Sequence, residues 1–253
     1  MIRFILDGLF TVIFLILSIP VIAIMALLRL VFPRASAVIS QFIVCRAFQV
    51  VAFLSGVKTE IKGLENIPKG EAVLYVPNHR SIFDIIITYY IIPGQTGYVA
   101  KKETGRIPIF SLWMLLMNCK FLDRSDIRKG LKVILKCVDL IKQGSNVVIF
   151  PEGTRNKGTE DLQPFHDGSL KIAEKAGCKI IPVAINNTDQ IFEAHFPKVK
   201  STKVVVEFCK PIDTAGLSRA ELKEISPKVR EELLEAYVRN KEVTTAEASE
   251  SEQ

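Results

Sequence analysis

Residues 9–28, LFTVIFLILSIPVIAIMALL, run for twenty positions without a charge. A helix of that length covers about 30 Å, one hydrocarbon thickness, so the chain has to immerse or bury it. A cleaved signal peptide fits poorly. The apolar run is too long, Asp7 offsets Arg3 in the preceding region, and no small-x-small site comes before Arg29 and Arg34. Pro20 interrupts the run near its middle and predicts a kink or break, because it lacks the helical N–H. A second apolar stretch, residues 37–54, keeps Gln41, Arg46 and Gln49 within about 140° of one helical face. That pattern suits a helix lying at a membrane interface. Two arrangements stay open, a single span and a helical hairpin dipping into one leaflet. In both, Arg29 and Arg34 keep the remainder of the chain cytoplasmic. Residues 1–56 therefore read as a membrane-embedded two-helix anchor.

From about residue 57 the period changes. Short apolar runs at 72–77, 96–100, 119–123, 146–151, 179–186 and 203–209 read as strands, with helical patterns between them. This alternation predicts an α/β domain over 57–240, with a largely parallel or mixed central sheet flanked by helices. The clearest helix is 126–143. There Ile127, Leu131, Ile134, Val138 and Ile141 form an apolar stripe for the core, while Lys132, Lys136 and Lys142 lie off it. A core stripe and a solvated basic face account for that helix without a function. Towards the C-terminus, Ser218 with Glu221 forms a capping box, and Ser226 before Pro227 starts a second helical piece. Residues 241–253 are acidic and poor in apolar side chains, and read as a disordered tail.

Five cysteines without a C-x-x-C pair indicate a reducing compartment, and three scattered histidines speak against a zinc site. Net charge is +6, and residues 101–142 hold ten Lys/Arg against four Asp/Glu. The partner is therefore anionic: nucleic acid, a phosphorylated metabolite or an anionic membrane surface. No nucleic-acid module signature appears and aromatics do not interleave with the basic residues, which speaks against nucleic acid.

In α/β folds chemistry collects in the loops after strand ends. Three such loops carry polar motifs: NHRSIFD (78–84), LDR (122–124) and PEGTR (151–155). In the first, Ser81 and Asp84 have helix-capping spacing, which would leave His79 a plain loop residue. Alternatively His79 is a general base and Asp84 holds its tautomer. No G-x-S-x-G elbow is present, so such a base would activate a hydroxyl of the substrate itself. In PEGTR, Gly153 permits close approach of an anion, outward-turned backbone N–H groups could bind it, and Arg155 offers a fork for phosphate oxygens. A plain turn is the alternative there, but Arg124 ends a second strand in the same basic region.

NHRSIFD, KFLDR, FPEGTR and IIPVAI occur in the order and approximate spacing of the four blocks of the glycerolipid acyltransferases, and KKETGRIPIF (101–110) also resembles them. The nearest resemblance is to bacterial 1-acyl-sn-glycerol-3-phosphate acyltransferases. It implies that His79 is the base on the free sn-2 hydroxyl of lysophosphatidic acid and that Asp84 orients it. The hydroxyl would attack the thioester of acyl-CoA or acyl-carrier protein directly, with no acyl-enzyme, metal or other cofactor, giving phosphatidic acid at the cytoplasmic face of the membrane. It further implies that Arg124, Glu152, Gly153, Thr154, Arg155 and Pro182 form the substrate site. One segment departs from the family: PFHDGSL (164–170) puts His166 where many members carry lysine, and Asp167 adds a negative charge. Rival readings are an acyltransferase for another lysophospholipid, a lipid-phosphate hydrolase and a non-catalytic lipid-phosphate binder.

Overall fold

Pro20 breaks the first apolar run, just ahead of its own position. The computed structural model describes residues 1–123, 125–158, 160–166 and 168–250. In it α1 (Ile2–Leu17) ends at Ser18, and α2 (Ile19–Val31) restarts with the proline in its first turn, where a missing N–H costs little. The two helices meet at 50°. α3 (Pro33–Ser55) starts on another proline and stops at Gly56, whose φ of 73° suits glycine. The bent α1–α2 pair and α3 are each long and apolar enough to cross a membrane.

The polar stripe expected on α3 divides. Gln41 turns inward, donating to Gly94 C=O and accepting from Thr96 N–H, while Arg46 and Gln49 hydrogen-bond to each other on the exposed side. The three helices are thus docked on the body. Arg29 strengthens the dock by donating to the carbonyls of Leu115 and Leu116 and to Asn118 Oδ1.

The body is one seven-stranded sheet. Its strands are β1 (Lys58–Lys62), β2 (Leu74–Pro77), β3 (Thr96–Lys101), β4 (Lys120–Leu122), β5 (Asn146–Ile149), β6 (Ile180–Asn186) and β7 (Lys203–Phe208), in the order β1-β7-β6-β2-β5-β3-β4. Every neighbouring pair is parallel except β6 with β7. Five strands fall within the runs read from the sequence, and β3 passes its run by one residue, Lys101. β1 was not read, because Lys-Thr-Glu-Ile-Lys is a mostly polar edge strand with no apolar run.

Alternation along the strands makes two cores. Tyr75, Tyr98, Val148, Phe150, Ile181 and Val183 pack with α4 (Ile82–Ile91), α5 (Phe110–Leu116) and the N-terminal helices. Leu74, Val76, Val147, Ile149 and Ile180 pack on the other face with α6 (Ile127–Lys142), α7 (Lys171–Ala176) and the start of α8 (Arg219–Glu250). Two expectations change here. On α6, Val138 and Ile141 are buried, but Ile127 is 88% and Leu131 46% exposed, because only the three-residue edge strand β4 lies beside the first turns. On α8, the capping box forms between Ser218 and Glu221, yet the helix continues through Pro227 instead of restarting there. Ile225 and Val229, buried on either side of the proline, hold the helix to the sheet across it. The helix extends to Glu250, into the stretch read as a tail, where Lys, Glu and Ala favour helix; residues 251–253 lie outside the described residues.

Candidate active site

The β2 strand delivers its loop to a fixed place. Asn78, fully buried, donates to Ile185 C=O at 2.9 Å and accepts from Ile185 N–H at 2.7 Å, which ties the start of the loop to β6. His79 is then clamped through its backbone: its N–H donates to Glu152 Oε1 at 2.7 Å, and its C=O accepts from Asn156 N–H at 2.7 Å. Its ring stacks on Phe150, centroids 4.1 Å apart.

Asp84 meets this ring from the first turn of α4. His79 Nδ1 lies 2.8 Å from Asp84 Oδ2, which also accepts from the N–H groups of Arg80 and Ser81 at 2.7 and 2.8 Å. The other oxygen, Oδ1, accepts from the Thr188 hydroxyl. Ser81 is the N-cap, accepting from Phe83 N–H, and Asp84 completes the capping box. The capping and histidine-orienting readings therefore describe one side chain in one position. Because Nδ1 donates to the carboxylate, the neutral ring keeps its lone pair on Nε2. Among the described residues Nε2 has no hydrogen-bond partner, and the side chain is 14% exposed. The arrangement can take a proton from a hydroxyl placed against Nε2.

The second motif is brought to the same helix end by a residue the sequence did not point to. Glu193 Oε1 accepts from Ile82 N–H at 2.9 Å and lies 3.1 Å from Arg155 Nη1; its Oε2 accepts from the Ser81 hydroxyl at 2.6 Å. Arg155 thus sits beside the N-terminus of α4, partly exposed, with one guanidinium nitrogen held.

Other expected site residues fall elsewhere. Glu152 is 2% exposed, and its carboxylate oxygens are used by the N–H groups of His79 and Gln163, so it supports the loop and does not line the site. Burial pushes its carboxyl above the usual range, against those two N–H groups. Gly153 has φ 71°, but its N–H closes the turn onto Phe150 C=O and does not face outward. Thr154 is exposed on that turn. Pro182 is buried level with Val76; alternation with Ile181 and Val183 puts it on the sheet face opposite Phe150, away from the His79 ring. His166 is an exposed loop residue whose N–H donates to Pro151 C=O. Arg124 and Asp167 lie outside the described residues. Asn78 adjoins the histidine in sequence, whereas Thr188 and Glu193 arrive from more than a hundred residues away with no local signal.

Residues 58–186, just over half the chain, match the family model described as Acyltransferase. The chain belongs to the acyltransferase family. A 1-acyl-sn-glycerol-3-phosphate acyltransferase of Borreliella burgdorferi is 31% identical over 195 residues, 77% of this acyltransferase and 78% of the relative. One from Helicobacter pylori is 36% identical over 172 residues, covering 66% and 70% of the two chains. The fold matches the crystal structure of the 1-acyl-sn-glycerophosphate acyltransferase PlsC of Thermotoga maritima with a TM-score of 0.76 at 23% identity, over 94% of this chain and 95% of that one. The matched span includes His79, Asp84 and Arg155 of this acyltransferase but ends before Thr188 and Glu193.

Proposed function

We propose that the enzyme transfers an acyl group from acyl-CoA or acyl-carrier protein to the free sn-2 hydroxyl of lysophosphatidic acid, giving phosphatidic acid. The observation that carries this reading is the His79–Asp84 pair at 2.8 Å, with Nε2 unpartnered among the described residues and Arg155 held at the same end of α4 through Glu193. The curated relatives, named for acyl transfer to 1-acylglycerol-3-phosphate, support the choice of acceptor. Arg155 takes the acceptor's phosphate with its unheld N–H groups. His79 Nε2 removes the proton as the hydroxyl oxygen attacks the thioester carbonyl. The new C–O bond forms, the C–S bond breaks, and the imidazolium returns the proton to the departing thiolate. Asp84 keeps the ring oriented and stabilises the imidazolium while it exists. The apolar helices α1–α3 hold the enzyme at the membrane that contains both acceptor and product, with the body on the cytoplasmic side.

His79→Ala tests this reading. General-base assistance contributes about 10²–10⁴-fold, so phosphatidic acid formation from lysophosphatidic acid and acyl-CoA should fall by that factor. Co-flotation with vesicles should persist, because His79 lies outside the apolar helices. Acyl transfer near the wild-type rate would overturn the mechanism.

A further inference from the structure

Three exposed apolar side chains stand in a line on α6. Ile127, Leu131 and Leu135, four residues apart and therefore on one face, are 88%, 46% and 45% exposed. Arg128, Lys132 and Lys136, each one position further on, form a parallel basic row that is also exposed. Among the described residues none of these three is ion-paired to a carboxylate, whereas Lys129 pairs with Asp126. Lys101, the last residue of the neighbouring β3, and Arg106 beyond it are exposed and extend the positive region. A core stripe explains Val138 and Ile141 but not the first two turns.

Position narrows what this face meets. β4 and β2 run the same way in the sheet, so the N-terminus of α6, which follows β4, lies at the same end of the sheet as His79, the C-terminal end of these strands. Yet α6 packs on the sheet face opposite α4, α5 and the apolar N-terminal helices. The apolar helices α1–α3 therefore lie on the far side of the sheet from α6. Free acyl-CoA is a single amphiphilic ligand that a concave pocket with a few polar groups can hold, so it does not call for a convex basic and apolar face spread over two helical turns. A soluble acidic protein with an apolar patch, carrying its acyl thioester on a flexible arm, matches both the charge and the grease of the surface.

We propose that the Ile127/Leu131/Leu135 and Arg128/Lys132/Lys136 face of α6 docks an acidic acyl-carrier protein that supplies the acyl thioester to His79. This rests on the acyl-transfer reading above and names the donor's docking surface.

The test compares donors on the full-length protein in vesicles, using acyl-carrier protein and acyl-CoA with the same acyl chain. One variant is Lys132→Glu/Lys136→Glu, and a second is Leu131→Ser. Each should raise the KM for acyl-carrier protein about tenfold, as the loss of complementary charge or apolar contact implies, with kcat/KM for acyl-CoA within about twofold of wild type. Equal effects on both donors, or none on either, would overturn the proposal. So would loss of vesicle flotation in the charge-reversed protein, which would make the occupant an anionic membrane. Wild-type enzyme that uses acyl-CoA but not acyl-carrier protein would overturn the docking and leave the acyltransferase reading intact. Failure with both donors would overturn both.

Discussion

Asp84 caps a helix and holds the His79 ring with the same oxygen, Oδ2. A carboxylate buried this completely is costly unless donors surround it. Here the His79 ring, two backbone N–H groups and the Thr188 hydroxyl do so. Glu152 solves the same problem less fully, with two backbone N–H groups, and burial leaves its carboxyl raised above the usual range. The sign of the linkage follows. The folded protein holds that proton more tightly than the unfolded chain. The resulting stability is complete below the unfolded value near 4.5 and is lost as pH rises through the folded value. Glu152→Gln removes the titration but leaves one backbone N–H without its acceptor, costing about 1–3 kcal/mol. Thermal melts from about pH 4 to 8 should therefore show a less stable variant whose Tm varies less with pH than that of the wild type. Parallel pH profiles for the two proteins would contradict this account.

Between elements, the two strand-end motifs meet at His79 and Glu152. Arg155 is tied to the first turn of α4 through Glu193, which binds that turn on one side and Arg155 on the other. That contact holds one guanidinium nitrogen, and among the described residues the rest of the fork has no hydrogen-bond partner. Glu193→Gln keeps an acceptor for the helix end but removes the charge that holds Arg155. An exposed ion pair of about 0.2–1 kcal/mol predicts a KM for lysophosphatidic acid raised about 1.4- to fivefold with kcat unchanged. Steady-state kinetics with an unchanged or lower KM would reject that role. The same elements show what was legible. The runs that became β2 to β7 are apolar and bounded by turns, so periodicity found them, and His79, Asp84 and Arg155 sit in short motifs at their ends. Polar edge strand β1, the reversed direction of β7 and the inward aim of Glu152 depend on pairing between distant segments. Nothing local encodes those. The α6 stripe was legible as a pattern, but its use was not: periodicity tells which side chains share a face, and only the shortness of β4 leaves Ile127 uncovered.

At the scale of the molecule, the apolar N-terminus is more than a tether. α2 and α3 contribute Ile22, Met25 and Val44 to the core shared with α4 and α5, and α1 reaches the loop that holds Glu193. The contact is a stack of Phe4 on Phe192, centroids 5.7 Å apart, and Phe192 immediately precedes Glu193. The apolar helix α1 therefore braces the loop of Glu193, and on the proposed function anchoring and catalysis can be separated by one substitution. Phe4→Ala leaves the long apolar surface of α1 and α2 in place, so flotation with vesicles should match the wild type. It removes an aromatic pair worth about 0.5–1.5 kcal/mol, so kcat/KM for lysophosphatidic acid should fall about two- to tenfold. Supplying the acceptor in detergent micelles should not restore activity, because the loss lies in the position of the 192–193 loop and not in access to the bilayer. Full recovery in micelles, or wild-type kinetics in vesicles, would show that α1 anchors the enzyme without bracing its site.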